Sequence, residues 1–206
     1  MRGPTHGDRS GAGAWQRRGG TLLVAVGATL LLTAGVSAAR ATLARDAARA
    51  RWAELEAQRA VVGGRLVAKP GAREVIARGT PVARLTVPRL GLDEIVVEGV
   101  GDAELYAGPG HMIGSALPGQ RGNSVVSAHR DRHFRSLGGL VVGDTIHTEG
   151  DAGDVAWTVT RVRVVSADAR VLRSSRTPLL TLTTCWPIRF FGSAPDRLIV
   201  EAVPIG

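Results

Sequence analysis

The chain has 206 residues, a length that allows one domain with appendages rather than two full domains. Its formal net charge is +8. Residues 1–80 hold thirteen basic and five acidic residues, whereas residues 81–206 hold thirteen of each. The excess of basic charge therefore lies outside the C-terminal part, which excludes a basic stripe for binding nucleic acid there. The single cysteine excludes an internal disulfide.

An uncharged apolar run, residues 21–39, follows a Gly-rich basic segment, residues 1–20. With the two glycines before it the run reaches 21 residues, about the length that a membrane-spanning helix needs. A cleavable signal peptide is the alternative, because two arginines precede the run and small residues near its end form an imperfect cleavage site. Arginines flank the run on both sides, so the positive-inside rule does not fix its orientation.

Residues 40–80 are predicted to form a helical stalk followed by a linker. The first half is rich in Ala, Arg and Glu without Gly or Pro, which favours a helix, and the second half contains Gly and Pro. The stalk has a weak apolar stripe that includes Ala48 and Trp52. We interpret it as a solvated helix rather than a dimerisation helix.

From residue 81 onward the sequence consists of short apolar or alternating runs separated by Gly, Pro and Asp. This pattern predicts a mainly β domain, a barrel or sandwich, over residues 81–206. Two breaks, near residues 103–106 and 131–140, have helical patterns. A domain of this length can bury one core without disulfides.

Cys185, the only cysteine, ends a strand-like run, residues 179–185. Alternation places Thr181, Thr183 and Cys185 on one face, and Pro187 is expected to stop the strand at the cysteine. A thiol at a strand end is held on rigid backbone and can be reached by a substrate, which suits a nucleophile. The alternative is a buried cysteine that packs as a small hydrophobe.

Two further strand-like runs carry His129 and Arg197. With these residues in place, the chain resembles the sortase family: residues 181–185 match the Thr-Leu-X-Thr-Cys signature, His129 lies in the histidine strand, and Arg197 follows the cysteine by 12 residues, as in the family. The similarity is greatest to the class D branch and covers about 125 residues. It also includes residues 85–92, 108–111, 134–137, 143–146 and 194–197.

The resemblance implies an eight-stranded β-barrel with short helices, in which the Cys and Arg strands are adjacent and the His strand is nearby. It also favours a retained anchor over a signal peptide. The expected domains are a cytoplasmic basic tail (1–20), a transmembrane anchor (21–39), a helical stalk and linker (40–80) and a catalytic domain (81–206). The expected location is the cell membrane, single-pass, with the catalytic domain on the outer face, where the substrates lie.

The implied function is transpeptidation. Cys185 attacks the Thr–Gly carbonyl of an LPXTG-like C-terminal sorting signal on a surface protein, and an amine acceptor, a peptidoglycan stem or a pilin lysine, resolves the thioacyl enzyme. A thiolate is the nucleophile, an imidazole such as His129 can protonate the leaving amine, and a permanently charged Arg197 can hold the oxyanion. No cofactor or metal is expected, because one cysteine and dispersed histidines lack ligand spacing.

Two other functions remain open from the sequence. An L,D-transpeptidase-like enzyme is also an exported cysteine acyltransferase of mainly β structure, but it would carry Ser-X-Gly-Cys, whereas two threonines precede Cys185. A non-enzymatic, membrane-tethered β module would have Cys185 buried and unreactive.

Overall fold

The computed structural model describes residues 10–61, 76–170, 173–190 and 192–206. Most of the predicted linker and the first nine residues of the predicted basic tail lie outside the described residues. The chain divides into two compact units, the first ending at Thr42 and the second running from Leu43 to Gly206.

The first unit belongs to helix α1, Ser10–Val61, which includes the second half of the segment expected as a basic tail. Leu30, Leu31 and Leu32 are exposed on this helix. By length and composition, a segment of α1, Leu23–Arg59, could cross a membrane: its apolar window has a mean hydropathy of 1.6, and none of that window is buried. This segment overlaps the predicted apolar span. It lies near the N-terminus, where a signal sequence would satisfy the same criteria of length and composition.

The second unit contains a closed barrel of eight strands in the order β1-β2-β3-β4-β7-β8-β6-β5. The predicted eight-stranded barrel is therefore confirmed. The strands are β1 (Pro81–Val87), β2 (Leu92–Glu98), β3 (Gly110–His111), β4 (Asn123–Ser127), β5 (Thr145–Gly150), β6 (Val155–Ser166), β7 (Leu179–Trp186) and β8 (Asp196–Pro204).

Short helical segments interrupt the strands. Helix α2, Asp102–Ala107, matches the first predicted break, and a 3-10 turn, Pro88–Leu90, precedes β2. In the second predicted break, residues 131–140, only Leu137–Gly139 is helical, as another 3-10 turn. The break is mostly turns because Gly138 and Gly139 disfavour helix propagation.

The barrel interior is apolar and is built from one face of each long strand. Leu180 and Leu182 of β7 pack there with Leu198 and Val200 of β8, around the fully buried Trp157. Since strand side chains alternate, the odd-numbered residues of β7 and β8 lie on the outer side of the wall. The predicted grouping of Thr181, Thr183 and Cys185 on one face is consistent with this pattern.

Strands β4, β7 and β8 are consecutive in the barrel wall. β4 is parallel to β7, with Ser127 opposite Thr183, and β7 is antiparallel to β8. The C-terminal ends of β4 and β7 and the N-terminal end of β8 therefore meet at one end of the barrel. The resemblance placed its three functional residues at these strand ends.

The C-terminal part of α1, within the second unit, packs on the outer surface of β2. Ala48 and Trp52 form a small buried cluster with Ile95 and Val97, and Trp52 is only 3% exposed. The interpretation of the stalk as a solvated helix is therefore wrong. The middle of β2, residues 95–97, is apolar on both faces, so its outer face needs a covering element, and the Trp52 stripe supplies it.

Candidate active site

Cys185 is the second-to-last residue of β7 and is exposed. The strand continues one residue beyond the predicted end, to Trp186, and the Trp186–Pro187 peptide bond is cis. Cys185 lies opposite Arg197 in the register of β7 and β8. Directly opposite residues of an antiparallel pair project from the same face with Cβ atoms about 5 Å apart. The thiol and the guanidinium therefore share one surface.

His129 lies just past the end of β4 and is half-buried. Ser127 and Thr183 are partners in the parallel β4–β7 register. His129 lies two residues after Ser127, and Cys185 lies two residues after Thr183, so the two residues occupy equivalent positions on neighbouring segments. Two bonds extend this pairing towards the strand ends: the Ala128 amide donates to the Thr183 carbonyl at 3.2 Å, and the Thr184 hydroxyl donates to the Ala128 carbonyl at 2.7 Å. These bonds hold the backbone before His129 against the backbone before Cys185.

The guanidinium of Arg197 has no ion pair among the described side chains. Glu201, a carboxylate on the same strand face as Arg197, is buried and is shared by Arg161, Arg163 and Arg173 at 3.9, 3.2 and 3.5 Å. Arg197 is thus left available to a ligand on the surface that it shares with Cys185.

An aromatic side chain of α2 contacts His129. The ring of Tyr106, the only tyrosine in the chain, lies edge-on to the imidazole with centroids 6.1 Å apart. The guanidinium of Arg132 lies over the same ring at 4.4 Å. Tyr106 therefore lies between the imidazole and a cation and limits where the imidazole can move. The sequence analysis missed this contact, because strand periodicity carries no information about which helix packs beside a loop.

Arg130 connects the segment after His129 to the segment after Cys185. Its guanidinium donates to the carbonyls of Pro187, Phe190 and Gly192 at 3.3, 3.2 and 2.5 Å. It also lies over the Phe190 ring at 5.7 Å. One side chain thus holds much of the β7–β8 connection in place. In the sequence, only its position next to His129 pointed to a role for Arg130 at this site.

Two carboxylates, one on β2 and one on α2, have separate partners. Glu98 faces His111 at 2.6 Å in the interior, and Glu104 accepts from the Gly101 amide at 3.0 Å. Across the described residues, no group of three or more His, Cys, Asp or Glu side chains could hold a metal ion.

Comparison with known proteins agrees with this geometry. A family model described as the sortase domain matches residues 85–205. Sortase D of Bacillus subtilis (strain 168) is 31% identical over 118 residues, which cover 56% of this chain and 60% of that protein. The match thus spans less than two thirds of its relative's length.

Solved structures give the same result for the fold. The catalytic domain of B. anthracis SrtD is 33% identical with a TM-score of 0.55, covering 68% of this chain and 97% of that one. A Clostridium perfringens Sortase D5 transpeptidase has a TM-score of 0.61 at 23% identity, covering 82% of this chain and 99% of that one. The second likeness concerns the fold alone.

Proposed function

Because this chain belongs to the sortase family, we propose that it is a cysteine transpeptidase that cleaves an LPXTG-like sorting signal between Thr and Gly. Cys185 is the nucleophile, His129 the general acid and base, and Arg197 the oxyanion ligand. The observation that carries the proposal is the exposed thiol of Cys185 opposite Arg197. A non-enzymatic module with a buried, unreactive cysteine does not fit that exposure.

In the first half of the cycle the Cys185 thiolate attacks the Thr carbonyl carbon. The carbonyl oxygen becomes negative in the tetrahedral state, where a fixed guanidinium stabilises it more than it stabilises the neutral substrate. The C–N bond to Gly then breaks, and His129 gives a proton to the leaving amine. The product is a thioester between Cys185 and the threonine of the surface protein.

In the second half an acceptor amine attacks the thioester. The amine loses a proton to His129, the C–S bond breaks, and Cys185 leaves as a thiolate. The contacts at Ala128 and Thr184 support this exchange, because they fix the two strand ends that carry the proton acceptor and the nucleophile. The acceptor is a peptidoglycan stem amine or a pilin lysine, as the resemblance implies.

The proposal places the enzyme at the cell membrane as a single-pass protein, with residues 21–39 as the anchor and the barrel on the outer face. The support is the apolar segment of α1 and the excess basic charge beside it. Surface proteins that carry sorting signals are the proposed partners, and they lie on that side.

The test is to incubate the full chain with an LPXTG-like peptide and an amine such as triglycine. We expect a covalent adduct on Cys185 in the mass spectrum, hydrolysable as a thioester, and an amide product when the amine is present. Cys185→Ala should form neither while keeping the circular dichroism spectrum of the barrel. An amide product in that variant would contradict the proposal.

A further inference from the structure

The barrel domain is neutral as a whole, yet one cavity in the second unit concentrates positive charge. The cavity, about 540 Å³, lies between α1, the start of β2, the turns after β4 and the β7–β8 connection. Its lining includes five arginines, Arg45, Arg49, Arg132, Arg135 and Arg189, against two carboxylates. The lining therefore carries an excess of three positive charges, with two of its five arginines supplied by α1 and three by the barrel domain.

Both carboxylates of the cavity are already engaged. Asp93 receives two bonds from Arg84, at 2.9 and 2.8 Å, and this guanidinium holds the pKa of Asp93 below its ordinary value. Glu94 accepts from Arg45 at 2.6 Å and faces the His133 imidazole at 3.1 Å. The two carboxylates that line the cavity are thus paired with Arg84 and Arg45, and the other arginines of the lining are left without them.

The remaining guanidiniums form no ion pair with the described carboxylates. Arg49 donates only to the backbone carbonyl of Asp93, at 3.2 Å. Arg135 and Arg189 line the cavity, are exposed, and form no ion pair with any described residue. Arginine forks match the oxygens of a phosphate group, to which they can donate in pairs.

A buried polar atom at the cavity wall is also unpartnered. The His133 side chain is only 6% exposed, and its Nε2 atom has no hydrogen-bond partner among the described residues. Because an ionised carboxylate only accepts, Nδ1–H of His133 donates to Glu94, and in the neutral imidazole Nε2 can then accept a hydroxyl proton. A buried nitrogen without a hydrogen-bond partner is destabilising, and a ligand hydroxyl would relieve that cost.

We infer that this cavity binds the polyol phosphate headgroup of an anionic membrane lipid. The arginines contact the phosphate oxygens, and a small adjustment of the wall brings a headgroup hydroxyl to His133 Nε2. Phosphate binding stands on the cavity alone, whereas the lipid source rests on the proposed membrane anchoring. Arg45 and Arg49 follow the apolar run, residues 21–39, by only six and ten positions, which favours a headgroup over a soluble phosphate.

The test uses the full chain, labelled at histidine, in phosphatidylcholine nanodiscs with a rising fraction of phosphatidylglycerol. The His133 imidazole signal, assigned through His133→Gln, is the readout, because charge attraction at the outer surface would not move it. We expect the signal to shift and saturate. Arg49→Gln combined with Arg135→Gln should raise the half-saturating fraction about tenfold, the effect of losing roughly 1.4 kcal/mol.

The matched control is Arg170→Gln with Arg176→Gln, which removes the same charge from exposed positions outside the cavity lining. It should titrate like the unmodified chain. An unmoved His133 signal, or equal weakening in both double variants, would overturn the site. Inorganic phosphate added to pure phosphatidylcholine nanodiscs should move the signal less than phosphatidylglycerol does; if it moved the signal as far, the lipid source would be wrong.

Discussion

Cys185 and Arg197 lie directly opposite each other on neighbouring antiparallel strands. This pairing is a property of the barrel wall, not of a loop, so the distance between the two residues is set by backbone hydrogen bonds. A site built on strands holds its groups more closely than one built on loops. The proposed division of labour, thiolate and oxyanion ligand, depends on that fixed spacing.

Replacing Arg197 by lysine should separate its charge from its geometry. Lysine keeps the charge but loses the planar fork, so we expect the acylation rate to fall by about two orders of magnitude, roughly 3 kcal/mol, with little change in melting temperature. The measurement is a single-turnover assay of thioester formation. If Arg197 only steadied β8, Arg197→Lys would be kinetically silent and Arg197→Ala would lower the melting temperature more than the rate.

Replacing Arg130 by glutamine should loosen the β7–β8 connection without touching the reacting groups. The three carbonyl contacts would be lost, so amide exchange in the connection should speed up, and kcat/KM for a sorting peptide should fall about tenfold, as for one bond to a charged group. Arg130→Lys should recover part of this effect. Arg135→Gln is the control for exchange, since the Arg135 side chain forms no hydrogen bond with that connection among the described residues. Faster exchange with unchanged kcat/KM would show that Arg130 is only structural.

Replacing Trp52 by alanine should destabilise the second unit. The indole is buried against Ile95 and Val97, and its loss should lower the free energy of unfolding by about 3 kcal/mol. Leu43→Ala, on the same helix but 68% exposed, should have almost no effect. Urea unfolding of a chain that begins at residue 43 measures both. A chain that begins at Pro81 should be less stable than one that begins at residue 43, because it exposes the outer face of β2; equal stabilities would show that the helix contributes nothing.

Acid should weaken the barrel partly through Asp144. The Arg89 guanidinium beside this carboxyl holds its pKa below the ordinary value of 3.8. A group with a lowered folded-state pKa contributes stability above its unfolded pKa, and that stability is lost as the pH falls through the folded-state pKa. Arg89→Gln should therefore lower the unfolding free energy at neutral pH, with a difference that shrinks below pH 3.8.

Urea unfolding between pH 7 and pH 2 measures this difference. Arg176→Gln, at an exposed position, is the control and should show no such pH dependence. A difference between Arg89→Gln and the unmodified chain that stays constant through the acid range would contradict the role of Asp144.

The sequence predicted the parts of the site that depend on periodicity. Alternation in β7 and β8 placed Cys185 and Arg197 on definite faces, and Pro187 marked the strand end to within one residue. The two-residue strand β3 has no period to detect and was not predicted from pattern. The resemblance, not the pattern, gave the number of strands.

Contacts between segments far apart in the sequence were not predictable. Tyr106 meets His129, and Arg130 reaches the β7–β8 connection, only because the barrel brings loops together. Trp52 was seen as part of an apolar stripe, but which surface it covers depends on the middle of β2 being apolar on both faces. A single sequence shows which residues need partners and does not show which partners they find.

The parallel pairing of β4 with β7 has a consequence for biogenesis. It joins Asn123 to Leu179 and Ser127 to Thr183, each pair separated by 56 residues, and everything between must already have left the ribosome or the export channel before the pair can form. Long loops of this kind close late and slowly. The thiol of Cys185 therefore emerges without His129 or Arg197 beside it, and the proposed site is complete only when the barrel has closed.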